Sequence, residues 1–221
     1  MGETMKKNTI IFDLDGTLLY TLEDLKAAVN HALILKGYKP RSLEEMRHFF
    51  GNGIRYALRE AEPEASDEDI AGLVSIFKEY YREHCLDKTC PYKGIPELVS
   101  GLAAEGYKLA IVSNKVDMAV KELAEHFFPE IQVAIGESPE VRRKPAPDTV
   151  FTAMKELGAS AEDSVYVGDS EVDLATARAA GLPCISVLWG FRDRELLEAE
   201  GAECFAETPD MVREQIEKMN S

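Results

Sequence analysis

The sequence predicts an α/β protein, a doubly wound parallel sheet of Rossmann-like type with an all-helical block inserted near its start. Three observations carry this. Short, near-continuous apolar runs recur along the chain, as strands covered on both faces require. Helical periodicity fills the stretches between them, giving the β-then-α alternation of such sheets. From about Leu19 to Thr89 the rhythm breaks, with helical spacing throughout and no convincing strand.

The first run, Ile10-Ile11-Phe12, leads straight into Asp13-Leu14-Asp15-Gly16-Thr17. Within the insert, Leu22, Leu25, Val29, Ala32 and Leu33 repeat at helical spacing, and Ser42-Leu43-Glu44-Glu45 has the form of a capping box. Ile70, Leu73, Val74, Phe77, Tyr80 and Tyr81 make a third stripe, read as core rather than a ligand box. The expected division is a core of residues 1–18 and 90–221 and a helical cap of residues 19–89, which leaves the sheet beside the Asp13 loop. Later strands are expected at 109–112, 133–135, 165–167 and 185–188. Helices are expected at 116–127, at 149–157 before Gly158, and at 174–180 before Gly181. Thr208-Pro209 opens a final helix carrying Val212, Ile216 and Met219.

Composition narrows the role. The 221 residues are 45% hydrophobic, enough for a sizeable core, and carry a net charge of -15. That charge argues against nucleic acid or an anionic membrane as partner. It leaves room for a small anionic substrate, because beyond a Debye length of ~8 Å local cations decide. No stretch approaches the ~20 apolar residues of a membrane span. Met1 to Lys7 lacks the apolar segment of a signal peptide, and Lys6 breaks the Gly2 myristoylation pattern, so a cytoplasmic protein is expected. Cys85, Cys90, Cys184 and Cys204 have no metal-site spacing and are read as reduced thiols, with Cys184 a small core residue.

Four strand ends carry the chemistry. Asp13 and Asp15 arrive two residues apart at the carboxyl edge of the sheet, where such folds bind ligands. They repel, so one is protonated or a cation sits between them. Asp13 is placed as nucleophile or metal ligand and Asp15 as acid/base. Ser113 offers a hydroxyl and Asn114 a backbone amide before a helix start that attracts anions. In Lys144-Pro145-Ala146-Pro147-Asp148, proline keeps Lys144 extended and aims its ammonium, while Arg142 and Arg143 are surface charge. In Gly168-Asp169-Ser170-Glu171-Val172-Asp173, helix capping accounts for one acid and not both.

In this order the segments resemble the four motifs of the haloacid dehalogenase-like (HAD) hydrolase superfamily, in its phosphatase branch, over essentially the whole chain. Softer features, Gly51-Asn52-Gly53-Ile54-Arg55 and the Lys144 to Asp148 stretch, resemble phosphoglycolate phosphatase-like members, whereas Tyr20 stands where many relatives carry Asp. The resemblance implies a Mg²⁺-dependent hydrolase of a small phosphorylated metabolite, 2-phosphoglycolate-like as first guess, working as a monomer or homodimer. Asp13 would form an aspartyl-phosphate and Asp15 would shuttle the proton. Mg²⁺ would bind the Asp13 carboxylate, the Asp15 carbonyl and Asp169, with Asp173 orienting Asp169 or Lys144. Gly16, Thr17, Ser113, the Asn114 amide and Lys144 would hold the phosphoryl group, and Arg55 an anionic substrate end. A sugar phosphomutase of the beta-phosphoglucomutase type, a pyrophosphatase or nucleotidase, and a non-catalytic phosphate-ligand sensor are the alternatives.

Overall fold

The computed structural model describes residues 6–221; residues 1–5, on which the leader and Gly2 readings partly rest, lie outside the described residues. The chain begins with β1 (Thr9–Phe12), β2 (Leu19–Tyr20), α1 (Leu22–Leu35), α2 (Leu43–Phe49), α3 (Ile54–Ala61) and α4 (Asp67–His84). It continues through β3 (Cys90–Pro91), α5 (Ile95–Ala104), β4 (Lys108–Val116), α6 (Asp117–Phe127), β5 (Val133–Glu137) and α7 (Asp148–Leu157). The last elements are β6 (Ser164–Gly168), α8 (Glu171–Ala180), β7 (Cys184–Val187), α9 (Arg194–Ala199), β8 (Phe205–Ala206) and α10 (Pro209–Met219).

Six of the strands form one sheet in the order β5-β4-β1-β6-β7-β8, every neighbouring pair parallel. Side chains alternate across it. Ile10 and Phe12 pack with Leu98 and Leu102 of α5, Val120 of α6 and Ile216 of α10. Ile11 and Tyr166 pack on the opposite face with Val150 and Ala153 of α7 and Ala177 of α8. Both faces are dry, which is why the strands read as unbroken apolar runs. Each such Leu or Ile contributes about 1.5–3 kcal/mol through burial. β1 lies between β4 and β6, and the chain leaves it first toward β4 and β5, then later toward β6, β7 and β8. That reversal opens a crevice at the carboxyl end of β1.

The helices α1 to α4 bury a second core, built from Leu25, Val29, Leu33, Met46, Leu58, Leu73 and Phe77. Capping boxes start two of them: Ser42 with Glu45 opens α2, and Ser66 with Asp69 opens α4. Gly158 and Gly181 end α7 and α8 as expected. Thr208 caps α10. No helix among the described residues is long and apolar enough to cross a membrane. Cys85 is buried, Cys90 exposed and Cys184 half-buried, and all four thiols are free.

The structure departs from the sequence reading in several elements, and α8 starts at Glu171 rather than Leu174. β2 pairs antiparallel with β3, Leu19 opposite Pro91 and Tyr20 opposite Cys90, so a strand exists where none was expected. A two-residue ladder has no periodicity to betray it. β4 runs on through Ser113, Asn114 and Lys115 to Val116, with a register shift against β5 after Val112, so α6 begins at Asp117. The helices α3, α5 and α9 and the strand β8 were not anticipated.

Where the chain enters and leaves the helical block, Asp24 ties the two crossings together. Its buried carboxylate accepts from the Lys88 amide (2.9 Å), the Thr89 amide (2.8 Å) and the Thr89 hydroxyl (2.9 Å). Removing the acceptor leaves those donors unpaired in a dry site, the expensive case for a lost hydrogen bond. Asp24→Ala should therefore lower the unfolding free energy by about 2–4 kcal/mol in urea titration; a loss under about 0.5 kcal/mol would show the tie to be dispensable.

Candidate active site

β1 delivers Asp13 to the head of the crevice, its amide bonded to the Val167 carbonyl at 2.9 Å. The chain then turns tightly, the Leu14 carbonyl accepting from the Leu18 and Leu19 amides at 3.0 Å each. Gly16 sits in this turn at φ +87°, and a Cβ there would meet the Asp169 carboxylate. A Cβ on Gly190 would meet Asp169 from the other side. Glycine at both positions thus lets backbone close around one aspartate. Thr17 Oγ1 points at Asp169 Oδ1 (3.4 Å), and its carbonyl accepts from the Trp189 indole (3.0 Å).

Lys144 lies at the centre of the site. Its buried ammonium is 2.6 Å from Asp13 Oδ1 and 2.7 Å from Asp173 Oδ1, and it donates to Tyr166 Oη at 3.1 Å. Lys144 lies outside α7, in a turn closed by the Ala146 amide on the Arg143 carbonyl, and its bond to Pro145 is cis. Proline excludes the helix there but leaves turns open. Burial alone would lower Lys144, and the Asp13 and Asp173 carboxylates overcome it, holding the ammonium above the ordinary lysine range.

Asp173 is spent as an acceptor. Oδ1 receives Lys144 and the Tyr166 hydroxyl (3.0 Å), while Oδ2 receives the Ser170 hydroxyl (2.6 Å) and the amides of Asp169 and Ser170. It closes the capping box of α8 with Ser170 as N-cap, so capping accounts for Asp173 and leaves Asp169 over. Burial alone would raise Asp173, and Lys144 with the hydroxyl donors pulls it below the ordinary range. Asp13 is pushed well above that range by burial and by Asp173, against the pull of Lys144. Burial, then Asp173, pushes Asp169 up to about 7.

Asp15 faces a different cation. Lys115 Nζ meets its two oxygens at 2.9 and 3.1 Å and lies 4.7 Å from the centroid of the Tyr81 ring on α4. Ser113 is buried, its hydroxyl accepting from the Lys115 amide at 3.2 Å. Asn114 Nδ2 donates to the Gly51 carbonyl (3.0 Å) and to the Lys144 carbonyl (3.1 Å). Arg192 adds further ties between the helical block and the sheet, donating to the carbonyls of Phe50 (2.8 Å) and Arg47 (3.0 Å) while pairing with Glu171 (2.7 Å). A cavity of about 490 Å³ lies between them, with Asp13, Asp15, Ser113, Asn114, Lys115 and Asp169 on one side and Phe50, Ile54, Phe77 and Tyr81 on the other.

Arg55 is not among its lining residues. It is exposed and lies 3.8 Å from Asp67, an ion pair on the helix surface. Gly16 and Thr17 stand behind Asp169, not on the cavity wall. Lys115, Tyr166 and Tyr81 carry contacts that the sequence reading did not assign. The available signal was the position of Lys115 directly after Ser113-Asn114; Tyr166 lay hidden in an apolar run.

Carboxylate oxygens of Asp13, Asp169 and Asp173 lie within 4.8 Å of one another. Donors that are all oxygen suit a hard divalent cation. The charge balance agrees: once ionised, the four carboxylates of Asp13, Asp15, Asp169 and Asp173 face two ammonium groups, Lys115 and Lys144, an excess of two negative charges for a cation to offset. With Asp173 saturated, Asp13 and Asp169 are the carboxylates left to hold such an ion.

The family model described as haloacid dehalogenase-like hydrolase matches residues 10–187. A phosphoglycolate phosphatase of Xylella fastidiosa (strain 9a5c) is 33% identical over 189 residues, covering 85% of this chain and 82% of that protein. One from Pseudomonas fluorescens (strain Pf0-1) is 32% identical over 222 residues, covering 95% and 77%. The crystal structure of a candidate phosphoglycolate phosphatase from Lactobacillus delbrueckii subsp. bulgaricus superposes with a TM-score of 0.92 at 36% identity, covering 96% of this chain and 99% of that one.

The raised Asp169 carboxyl has a consequence for stability without metal. The unfolded chain ionises it near pH ~4, whereas the folded protein keeps it protonated up to about 7. Its contribution is complete below the lower value and is lost as pH rises to the upper one. In EDTA, Asp169→Asn should therefore melt higher than the parent, by a margin that widens from pH 5 to 7 and then levels. A margin independent of pH in thermal scans would contradict the assignment.

Proposed function

The chain belongs to the haloacid dehalogenase-like hydrolase family, and we propose that it is a phosphatase which hydrolyses a small phosphomonoester through an aspartyl-phosphate on Asp13. The observation that carries this reading is the convergence of Asp13, Lys144 and Asp169 at the head of a cavity that also holds Asp15 and Ser113. Phosphoryl transfer asks a protein chiefly for positioning and charge neutralisation.

An Asp13 carboxylate oxygen attacks phosphorus in line with the ester oxygen, which leaves with its electron pair. Asp15, protonated at that stage, gives its proton to the departing alkoxide. It then takes a proton from the water that cleaves the aspartyl-phosphate, returning Asp13 to its starting form. Such a dual role needs a carboxyl that can exist in both states. Lys115 holds Asp15 in place between these steps. Lys144, the Ser113 hydroxyl and the Asn114 amide hold the phosphoryl oxygens, and Asp173 with Tyr166 keeps Lys144 aimed. The carboxylates of Asp13 and Asp169 and the Asp15 carbonyl would hold Mg²⁺, whose charge would offset that of the phosphoryl group and let Asp13 stay ionised beside Asp173. Residues 19–89, acting as a cap over the core of residues 1–18 and 90–221, exclude water from the reacting centre.

A substrate of the 2-phosphoglycolate type is the first choice, supported by the names of the relatives at 32–33% identity. The reading is tested by phosphate release across a panel of phosphomonoesters with and without Mg²⁺. Asp13→Asn should lower kcat by about a thousandfold or more, and chelation should stop turnover reversibly. An Asn variant retaining most activity would remove Asp13 from the chemistry.

A further inference from the structure

Two buried polar atoms on residues lining the cavity have no hydrogen-bond partner among the described residues: the Tyr81 hydroxyl and Asn114 Oδ1. A dry, unpartnered polar atom is costly, and folded proteins tolerate few. Tyr81 is only 5% exposed. Its ring is fixed by stacking on Phe77, with centroids 5.2 Å apart and planes 11° apart. Opposite stands Lys115, 4.7 Å from that ring. An ammonium has three protons, and the two oxygens of Asp15 engage two of them. The third is turned toward Tyr81, so an ammonium from the sheet and a phenol from α4 lie side by side, beside the apolar walls of Leu25, Phe50 and Ile54.

The geometry points to Tyr81 as a specificity-determining residue which, with Lys115, receives a carboxylate on the leaving group of the substrate. This rests on the phosphatase reading above and assigns the recognition of its first-choice substrate, the phosphate ester of a short hydroxy acid, to one pair of residues. Two adjacent donors, one from each wall, suit a planar anion with two acceptor oxygens, which a lone hydroxyl would satisfy only in part. A second phosphate would bring about twice the negative charge beside Asp13, Asp15 and Asp169. The reach is short as well. Lys115 is already bonded to Asp15, the group that serves the ester oxygen, so the carboxylate it also touches lies one or two carbons from that oxygen. The weak dielectric of a largely apolar pocket strengthens the contact.

Tyr81→Phe tests this without touching the reacting groups, using 2-phosphoglycolate and propyl phosphate, an ester of similar size with no carboxylate. The parent in Mg²⁺ should prefer 2-phosphoglycolate by kcat/KM. In the variant that preference should fall about tenfold, chiefly through a higher KM for 2-phosphoglycolate. Because an unpartnered hydroxyl is removed, the melting midpoint of the substrate-free protein should rise by about 2–4 °C. An unchanged preference, a loss shared equally by both esters, or a lower melting midpoint would overturn the assignment. A parent that cleaves propyl phosphate and ignores 2-phosphoglycolate would overturn it while leaving the phosphatase reading intact. A parent that releases phosphate from neither ester, nor from the wider panel, would remove both.

Discussion

Buried negative charge is the constraint on which the rest of this molecule depends. Asp13, Asp169 and Asp173 are driven into one dry pocket, and among the described residues Lys144 is the one cation that reaches two of them. Isolated carboxylates in such a medium revert to the neutral form unless something compensates. The protein compensates Asp173 fully, with an ammonium, two hydroxyls and two amides. Asp13 and Asp169 are left short. The fold spends its glycines, its central strand and the start of α8 on holding two carboxylates in a state that a divalent ion relieves.

The same constraint explains why the sheet order matters. A parallel sheet presents its strand ends along one edge, and the reversal around β1 separates the loops that follow β4 and β6 enough to admit a ligand. Asp13, Ser113 and Asp169 are brought together by register, since Phe12 pairs with Ile111 on one side and Val167 on the other. The residues are remote in sequence, yet each arrives at its place through a strand with no freedom to slip, because a one-residue slip would turn Ile10 and Phe12 to the opposite face.

Much of this was legible in the amino-acid order because the signals were local. Apolar runs marked β1, β4, β5, β6 and β7, serine boxes marked α2, and glycines marked the ends of α7 and α8. The groups clustered around Asp13 were legible for the same reason, each lying just past an apolar run or in a proline-bound turn. What escaped was decided by pairing at a distance. Lys115 meets Asp15 across 100 positions from the part of β4 that runs on past Val112, where the register against β5 shifts. Tyr166 looks like any residue of an apolar strand until its hydroxyl meets Lys144. Arg55 follows a glycine turn that suggests a ligand contact, but its helix directs it toward Asp67. The β2–β3 ladder is too brief for any pattern to reveal it.

The ties across the crevice have an evolutionary consequence. On the helical side, the groups that Asn114 and Arg192 grip are main-chain carbonyls, those of Gly51, Phe50 and Arg47. Every amino acid supplies a carbonyl. Side chains facing the cavity from this segment, Ile54 among them, are therefore free to drift toward new leaving groups while the grip is inherited unchanged. Selectivity and these main-chain ties are carried by separate atoms of the same stretch, so one can be rewritten without disturbing the other.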